Sequence, residues 1–183
     1  MQEKKEKNEQ LLELARNAIK SQIHGGRLVV PENIRKNYSE KKACFVTLTE
    51  DEELRGCIGS LQANKELWMD VIDNSINAAF RDPRFLPLSS SELNNIKIEI
   101  SVLSAPKKIS FKSYRDLLEK IDKKMGIILK KGFYSATFLP QVWAQIPSKE
   151  RFLEQLSLKA GLEKDAWKDS EIEFYRVESF REK

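Results

Sequence analysis

The chain has 183 residues, of which 40% are hydrophobic and 33% charged, and its formal net charge is +4. This length suits one domain with a single good core, with or without an added lobe, and the composition is typical of a soluble globular protein. The near balance of 32 basic and 28 acidic residues lacks the clustered positive charge of nucleic-acid binders, so we predict no nucleic-acid partner. No apolar stretch approaches the roughly 20 residues of a membrane span, and we predict no membrane association.

The first residues carry no apolar core of a secretory signal, and the chain has only two cysteines. Both features favour a reducing cytoplasm as the expected location, where a permanent disulfide is the less expected state. The single histidine and the absence of CxxC or HxxxH spacing argue against a metal site. No Walker loop or GxGxxG motif occurs, and we predict no cofactor.

Apolar residues at helical spacing predict a first helix from about Glu6 to His24, ended by two glycines. A strand at Ala43–Leu48, a polar turn at Thr49–Glu53 and a strand at Leu54–Gly59 then predict a β-hairpin. Pairing the arms about the midpoint between residues 50 and 51 would place Cys44 opposite Cys57, unless a bulge shifts the register.

Helical spacing resumes from Asn64 to Phe80, with Asn64 as the expected N-cap. Ser89 and Glu92 have the spacing of a capping box and predict a short helix there. The later elements follow in order: a strand at 96–103, a linker at 104–108, a helix from Ser113, a hairpin over 127–138, a helix from Ser148, and a strand at 172–177 that completes the main sheet.

Cys57 is the candidate catalytic residue, because it lies between Gly56 and Gly59 and two positions after Arg55. Residues two apart in a strand share a face, and a guanidinium nearby favours the thiolate over the thiol. Glycines carry no side chain, so a ligand or a second backbone could approach closely. The alternative is that Cys57 packs as a small hydrophobic residue, which is the common behaviour of free cysteine.

Arg81, Asp82 and Arg84 interrupt the helical pattern around a proline. They predict either a local ion-pair network or an anion-binding edge, because arginine presents two donors to a carboxylate or phosphate. Gln141 is a further candidate for binding a ligand, with backbone hydrogen bonding as its alternative role. His24, at a helix end, is the one histidine available as a general base.

Five blocks of the sequence resemble, in order, the AMMECR family found in bacteria, archaea and eukaryotes: 54–61, 78–88, 98–103, 138–142 and 152–162. The resemblance implies one domain over 1–183 with a larger and a smaller subdomain, joined near 104–112. It implies an α/β fold of the α+β type, with helices on a mainly antiparallel sheet and a cleft near Cys57. Microbial members often accompany a Memo-type protein and a radical-SAM protein, which implies a partner in a shared modification pathway.

Two functions remain open from the sequence. The first is an enzyme with Cys57 as a thiolate nucleophile and Arg55 as its activator, acting on a small molecule or peptide side chain held by Gly56, Gly59, Arg81, Asp82, Arg84 or Gln141. The second is a non-catalytic module that binds a protein partner or a small ligand in the same groove.

Overall fold

The structure is a computed structural model that describes residues 2–183. Its elements, in chain order, are α1 (Gln2–His24), α2 (Glu32–Asn37), β1 (Cys44–Glu50), β2 (Glu53–Gly59), α3 (Leu67–Phe80), β3 (Lys97–Leu103), β4 (Lys107–Lys108), α4 (Tyr114–Lys120), β5 (Gly126–Lys131), β6 (Tyr134–Phe138), α5 (Val142–Gln145), α6 (Lys149–Lys159), a 3-10 helix (Ala166–Asp169), β7 (Glu171–Tyr175) and β8 (Val177–Arg181).

The chain divides into two compact units, each with its own four-stranded sheet. The first unit runs to Leu103 and resumes at Glu178–Lys183, and the second is Ser104–Val177. The second unit is therefore inserted in the sequence between β3 and β8. Adjacent strands pair antiparallel, and the predicted α+β class with helices on antiparallel sheet is confirmed.

The first unit has the strand order β2-β1-β3-β8, with α1 and α3 packed on one face of the sheet. Alternate residues of the central strands, such as Val46 and Ile100, are fully buried beneath these helices. The predicted stripe of α1 supplies buried residues including Ala15 and Ile19, and the helix ends at His24 before Gly25, whose φ is +66°. The glycine terminus is as predicted, whereas the helix begins at Gln2, four residues before the predicted start at Glu6.

Arg16 of α1 joins the first helix to the end of the chain. Its Nε donates to Glu182 Oε1 at 2.7 Å, and its two terminal nitrogens donate to the carbonyls of Leu93 and Ile96 at 2.7 and 2.8 Å. Glu182 in turn accepts from the Ile98 N–H at 2.9 Å. One half-buried arginine thus connects α1, the turn before β3 and the residue after β8.

The predicted register of the first hairpin is wrong. Thr47 pairs with Cys57, and Cys44 lies near Ser60, whose N–H donates to the Cys44 carbonyl at 2.9 Å. The turn is shorter than predicted: Glu50 pairs with Glu53, leaving Asp51 and Glu52 as the turn residues.

Two local features produce this register. Asp51 and Glu52 both have positive φ, 51° and 64°, as a tight hairpin turn of the favoured twist requires. Leu48 pairs with Gly56 whereas Thr49 pairs with Leu54, so Arg55 is the extra residue of a β-bulge. Because a shift in register moves side chains between faces, the two sulfurs do not meet, and both cysteines are free.

Three other predictions are corrected. The helix expected to begin at Asn64 begins at Leu67 after Glu66, and the helix expected after Ser89 is a series of turns. The last predicted strand is two strands: β7 lies in the second sheet, and β8 completes the first. The interruption falls at Arg176, whose N–H and carbonyl both bond Ser104 instead of continuing a ladder.

The second unit has the strand order β4-β7-β5-β6. Its core holds Trp143 stacked on Phe152, with ring centroids 3.5 Å apart, and the indole N–H of Trp143 donates to the Met125 carbonyl at 2.8 Å. The predicted second hairpin is confirmed as β5 and β6. Over residues 2–183, no helix combines the length and apolar character needed to cross a membrane.

Candidate functional site

Cys57 lies on β2, the edge strand of the first sheet. The residue is partly exposed, and its sulfur lies 3.2 Å from the Thr47 hydroxyl oxygen on the neighbouring strand. The Ser60 N–H donates to the Cys44 carbonyl of β1, and in an antiparallel pair only every second residue bonds to the neighbouring strand. Cys57 is three residues from Ser60 and belongs to the other set, so its backbone N–H points away from β1. Cys57 therefore presents both a thiol and an amide at the sheet edge.

Asp82, just after α3, accepts a hydrogen bond from the Cys57 amide. Its Oδ2 accepts the Cys57 N–H at 2.8 Å, and its side chain is only 2% exposed. Arg84 holds the same carboxylate through Nε at 2.9 Å, through a terminal nitrogen at 2.7 Å and through its backbone N–H at 3.1 Å. The hydrogen bond from the Arg84 side chain is the main cause that holds the pKa of Asp82 well below its usual range, and the backbone bonds add to it. Burial alone would raise this pKa.

Arg84 also reaches Cys57 directly. A terminal guanidinium nitrogen lies 3.4 Å from the Cys57 carbonyl oxygen, and the side chain is 53% exposed. The pKa of Arg84 is raised above its ordinary value, first by the hydrogen bond to Asp82 and also by the charge that Cys57 carries when ionised. Arg84 is thus the arginine that contacts Cys57, through the Cys57 backbone carbonyl.

Arg55 is directed to a different carboxylate. Its Nε donates to Glu92 Oε1 at 2.7 Å and a terminal nitrogen donates to the Leu86 carbonyl at 2.9 Å. Arg55, and then the Ser89 hydroxyl and N–H, lower the pKa of Glu92 to about 2. The Phe85 ring lies beside both arginines, with its centroid 5.8 Å from the Arg55 guanidinium carbon and 5.5 Å from that of Arg84.

The two glycines next to Cys57 allow close packing within the protein. A Cβ on Gly56 would lie 2.2 Å from the Ala78 carbonyl oxygen of α3, and one on Gly59 would lie 2.2 Å from the Phe45 ring. The predicted close approach of a second backbone occurs at Gly56. At both positions the space that a side chain would fill is taken by this chain itself.

The other predicted residues of the first unit make no hydrogen bond to this cluster. Arg81 is exposed and donates to the Asn77 side chain at 3.2 Å. Gln141 is exposed before α5, in the second unit, and His24 is exposed at the end of α1. Within residues 2–183, no group of three or more His, Cys, Asp or Glu side chains is placed to hold a metal ion.

Sequence reasoning missed Thr47, Phe85 and Glu92. Thr47 could be found only from the true register, which depends on the short turn and the bulge. Glu92 was assigned to a capping box, and it does accept the Ser89 N–H at 2.8 Å, but its other oxygen binds Arg55. The signal for Phe85 was its place directly after an arginine, since guanidinium groups stack on aromatic rings.

Comparisons with known proteins agree with this fold. The model of the AMMECR1 family matches residues 12–181. Protein NEQ441 of Nanoarchaeum equitans is 38% identical over 92% of this chain and 95% of its own length. Protein MK0488 of Methanopyrus kandleri is 39% identical over 95% of this chain and 86% of its own.

Among solved structures, an uncharacterized protein from Pyrococcus horikoshii, PH0010, superposes with a TM-score of 0.82 at 34% identity. The match covers 97% of this chain and 92% of that one. The family model, the curated relatives and the solved structure each span nearly the whole sequence. The chain belongs to the AMMECR1 family.

Proposed function

We propose that this protein is an enzyme that uses the Cys57 thiolate as a nucleophile in group transfer on a small molecule or a peptide side chain. The observation that carries the proposal is a partly exposed cysteine whose backbone carbonyl is bound by a half-exposed guanidinium, that of Arg84. Thiolates are the reactive form of cysteine, and a neighbouring cation favours them.

The contrast with Cys44 supports this assignment. Cys44 is fully buried, and burial raises the pKa of its thiol, as expected for an inert packing residue. Cys57 has one neutral hydroxyl contact at its sulfur and the Arg84 charge nearby. Of the two thiols, Cys57 is the one that a substrate can reach.

Acyl transfer fits this arrangement. The thiolate would attack a carbonyl carbon and form a thioester while the bond to the leaving group breaks, and the leaving group would take its proton from solvent water. A water or amine acceptor would then attack the thioester carbonyl, lose its proton to solvent and release the Cys57 thiolate. The amide of Cys57 is the nearest backbone donor for the oxyanion, but Asp82 binds it at 2.8 Å. Under this proposal the oxyanion replaces Asp82 at that amide during the reaction.

The test is the rate of Cys57 alkylation by iodoacetamide at pH 7, followed by mass spectrometry of the cysteine-containing peptides. Under this proposal we expect Cys57 in the native protein to react at least about tenfold faster than glutathione, because the residue is partly exposed and the Arg84 guanidinium binds its backbone. Arg84→Gln should slow the reaction several-fold and Arg84→Lys should restore part of it. The matched control is Arg55→Gln, whose guanidinium binds Glu92, and it should change the rate less.

Alkylation of Cys57 only on unfolding, or equal rates in Arg84→Gln and the native protein, would remove the case for a nucleophile. Because Arg84→Gln leaves a buried carboxylate without its partner, circular dichroism and thermal melting must first show that the variant is folded. Arg84→Lys, which keeps the charge but loses the two-pronged geometry, is the second variant for that comparison.

One observation favours a second candidate, a binding module for a protein partner. Leu86 is 83% exposed and Leu54 is 43% exposed, and the Leu86 carbonyl binds the Arg55 side chain next to Cys57. Exposed apolar side chains beside a polar cluster are typical of docking surfaces. A binding module predicts that Leu86→Ser weakens association with the Memo-type or radical-SAM protein implied by the resemblance, whereas Cys57→Ser leaves it unchanged.

A further inference from the structure

β8 is the outer strand of the first sheet, and its free edge is exposed. Glu182, next to β8, donates its N–H to the Ile98 carbonyl at 3.0 Å, and the Ser179 and Ser101 hydroxyls meet at 2.7 Å. These contacts fix an antiparallel register in which residues 98 and 182 face each other through backbone bonds. Backbone bonds in an antiparallel pair alternate along the strand, so the N–H and C=O groups of Ser179 and Arg181 point away from β3.

β8 ends its sheet, so those outward groups face no partner strand among residues 2–183. Ser179 and Arg181 are exposed, and their backbone groups lie on the open side of this edge strand. β8 contains no proline, so each outward N–H of the strand is available for pairing. The strand is five residues long and carries Glu178 and Arg181, and charges of this kind limit which strands can pair with an edge. The edge is open to a strand whose charges match these two.

A groove runs beside this edge, beneath the first half of α1. Its volume is about 670 Å³, and its apolar floor is formed by Leu12 of α1 and Phe180 of β8. Both signs of charge line it, with Lys5, Glu9 and Arg181 among the lining residues. Side chains of an added strand that faced α1 would enter this space, as alternate side chains of a strand point to one face of a sheet.

We propose that two copies of this chain pair antiparallel through β8, forming a continuous sheet across a two-fold axis. This interface goes beyond the proposed function and does not depend on Cys57. An edge that meets its own copy is self-complementary by symmetry, and every outward N–H and C=O of one strand finds its equivalent on the other.

The charges on β8 select one register for this pairing. Centring the two-fold on Ser179 places Glu178 opposite Phe180 of the second copy and Val177 opposite Arg181. Centring it on Phe180 would instead bring Glu178 opposite Glu182 of the second copy, and centring it on Glu178 or Arg181 would oppose identical charges. Like charges directly opposite are destabilising, so the register centred on Ser179 is preferred.

A second copy fits this edge better than a strongly charged peptide. The groove carries lysine, arginine and glutamate together, and several of these charges are already paired: Lys4 with Glu178 at 2.9 Å, and Arg16 with Glu182. No large charge of one sign remains to select an acidic or basic peptide. The copy supplies a matching apolar face through its own Phe180.

The test is the molar mass of the full chain by light scattering across a concentration series, together with Ser179→Pro and Ser179→Ala. We expect a dimer whose dissociation constant rises at least about tenfold in Ser179→Pro, because the outward amide is removed at the centre of the interface. Ser179→Ala removes the same hydroxyl but keeps the amide, and it should remain dimeric.

Hydrogen exchange on the unmodified protein provides a second measurement should Ser179→Pro fail to fold. The amides of Ser179 and Arg181 should gain protection as the protein concentration rises. A monomer at all concentrations up to about 100 µM with fast exchange at both amides would overturn the proposal. Protection of both amides in a protein that light scattering shows to be monomeric would overturn it too, since it would mean that the chain covers its own edge.

Discussion

Cys44 and Cys57 each donate a backbone N–H to an aspartate side chain. Cys44 donates to Asp70 at 2.9 Å, in the first turn of α3, and Cys57 donates to Asp82 at 2.8 Å, just after the end of the same helix. An aspartate in α3 and another just after it thus bind the two strands of the hairpin, each by accepting a backbone N–H.

The two carboxylates differ in their other partners. Asp70 is buried and accepts from two neutral side chains, Ser60 at 2.6 Å and Asn74 at 3.0 Å. Asp82 is equally buried but is held by the charged fork of Arg84, which reaches solvent. The same backbone contact therefore fixes an inert thiol inside the core and a partly exposed thiol beside a cation at the edge.

Gly56→Ala should have the largest effect, because Gly56 brings β2 against α3 and both cysteine regions depend on that approach. The new Cβ would lie 2.2 Å from the Ala78 carbonyl oxygen, so helix or strand must shift. We expect a loss of about 3 kcal/mol in the free energy of unfolding, measured with urea. Gly26→Ala, where nothing lies within 4 Å, is the control and should be close to neutral. Equal losses in both variants would contradict the contact.

Asp82→Asn tests the charged member of the comparison and should cost about 2 kcal/mol at pH 7, because Arg84 loses its charge partner. The pKa of Asp82 is lowered on folding, so its contribution is fully present above its unfolded pKa of about 3.9 and is lost as the pH falls through the folded value. The measurement is the urea midpoint of native protein and variant from pH 7 downward. The gap between them should narrow below about pH 4; a gap independent of pH would exclude this linkage.

Replacing each cysteine by serine should lower the stability more at the buried Cys44 than at Cys57 on the sheet edge. Cys44→Ser puts a hydroxyl into a fully buried site, and we expect a cost of about 1–2 kcal/mol. Cys57→Ser changes a partly exposed atom that already contacts the Thr47 hydroxyl, and we expect less than about 0.5 kcal/mol. Thermal melting of the two variants in parallel measures which loses more stability, and a larger loss for Cys57→Ser would contradict the prediction.

Glu92→Gln should cost about 1 kcal/mol at pH 7, less than Asp82→Asn, because Arg55 keeps its bond to the Leu86 carbonyl. The pKa of Glu92 is lowered to about 2, so its contribution is present above its unfolded pKa of about 4.3 and is lost as the pH falls toward 2. Native protein and variant should therefore converge in thermal stability at acid pH. If Glu92→Gln also slowed Cys57 alkylation as much as Arg84→Gln does, the conclusion that Arg55 and Arg84 act on different residues would be wrong.

The main elements of the fold could be predicted from periodicity, because α1, α3 and β3 each bury one regular face. The register of the first hairpin could not. Tight turns with two positive φ angles favour Asn or Gly, and here Asp51 and Glu52 occupy them, so the usual signal is absent. The bulge at Arg55 leaves no mark in the local pattern.

The site was predictable as a set of residues but not as a set of contacts. Asp82 and Arg84 were chosen because charged residues at a helix end are unusual, and the structure places them on the Cys57 backbone. The partner of each charge depends on how the loop after α3 lies along the edge of β2. That arrangement results from packing between segments far apart in the sequence, so the spacing of residues along the chain does not predict it.

The insertion of the second unit between β3 and β8 sets an order of events during synthesis. A ribosome delivers residues 104–177 before β8, so the second sheet is complete in sequence while the first still has three of its four strands. Arg16 leaves the ribosome long before its partner Glu182. Nascent chains of this protein therefore present an unfinished sheet edge at β3 until β8 has been synthesised, and strand edges of that kind are where folding intermediates associate.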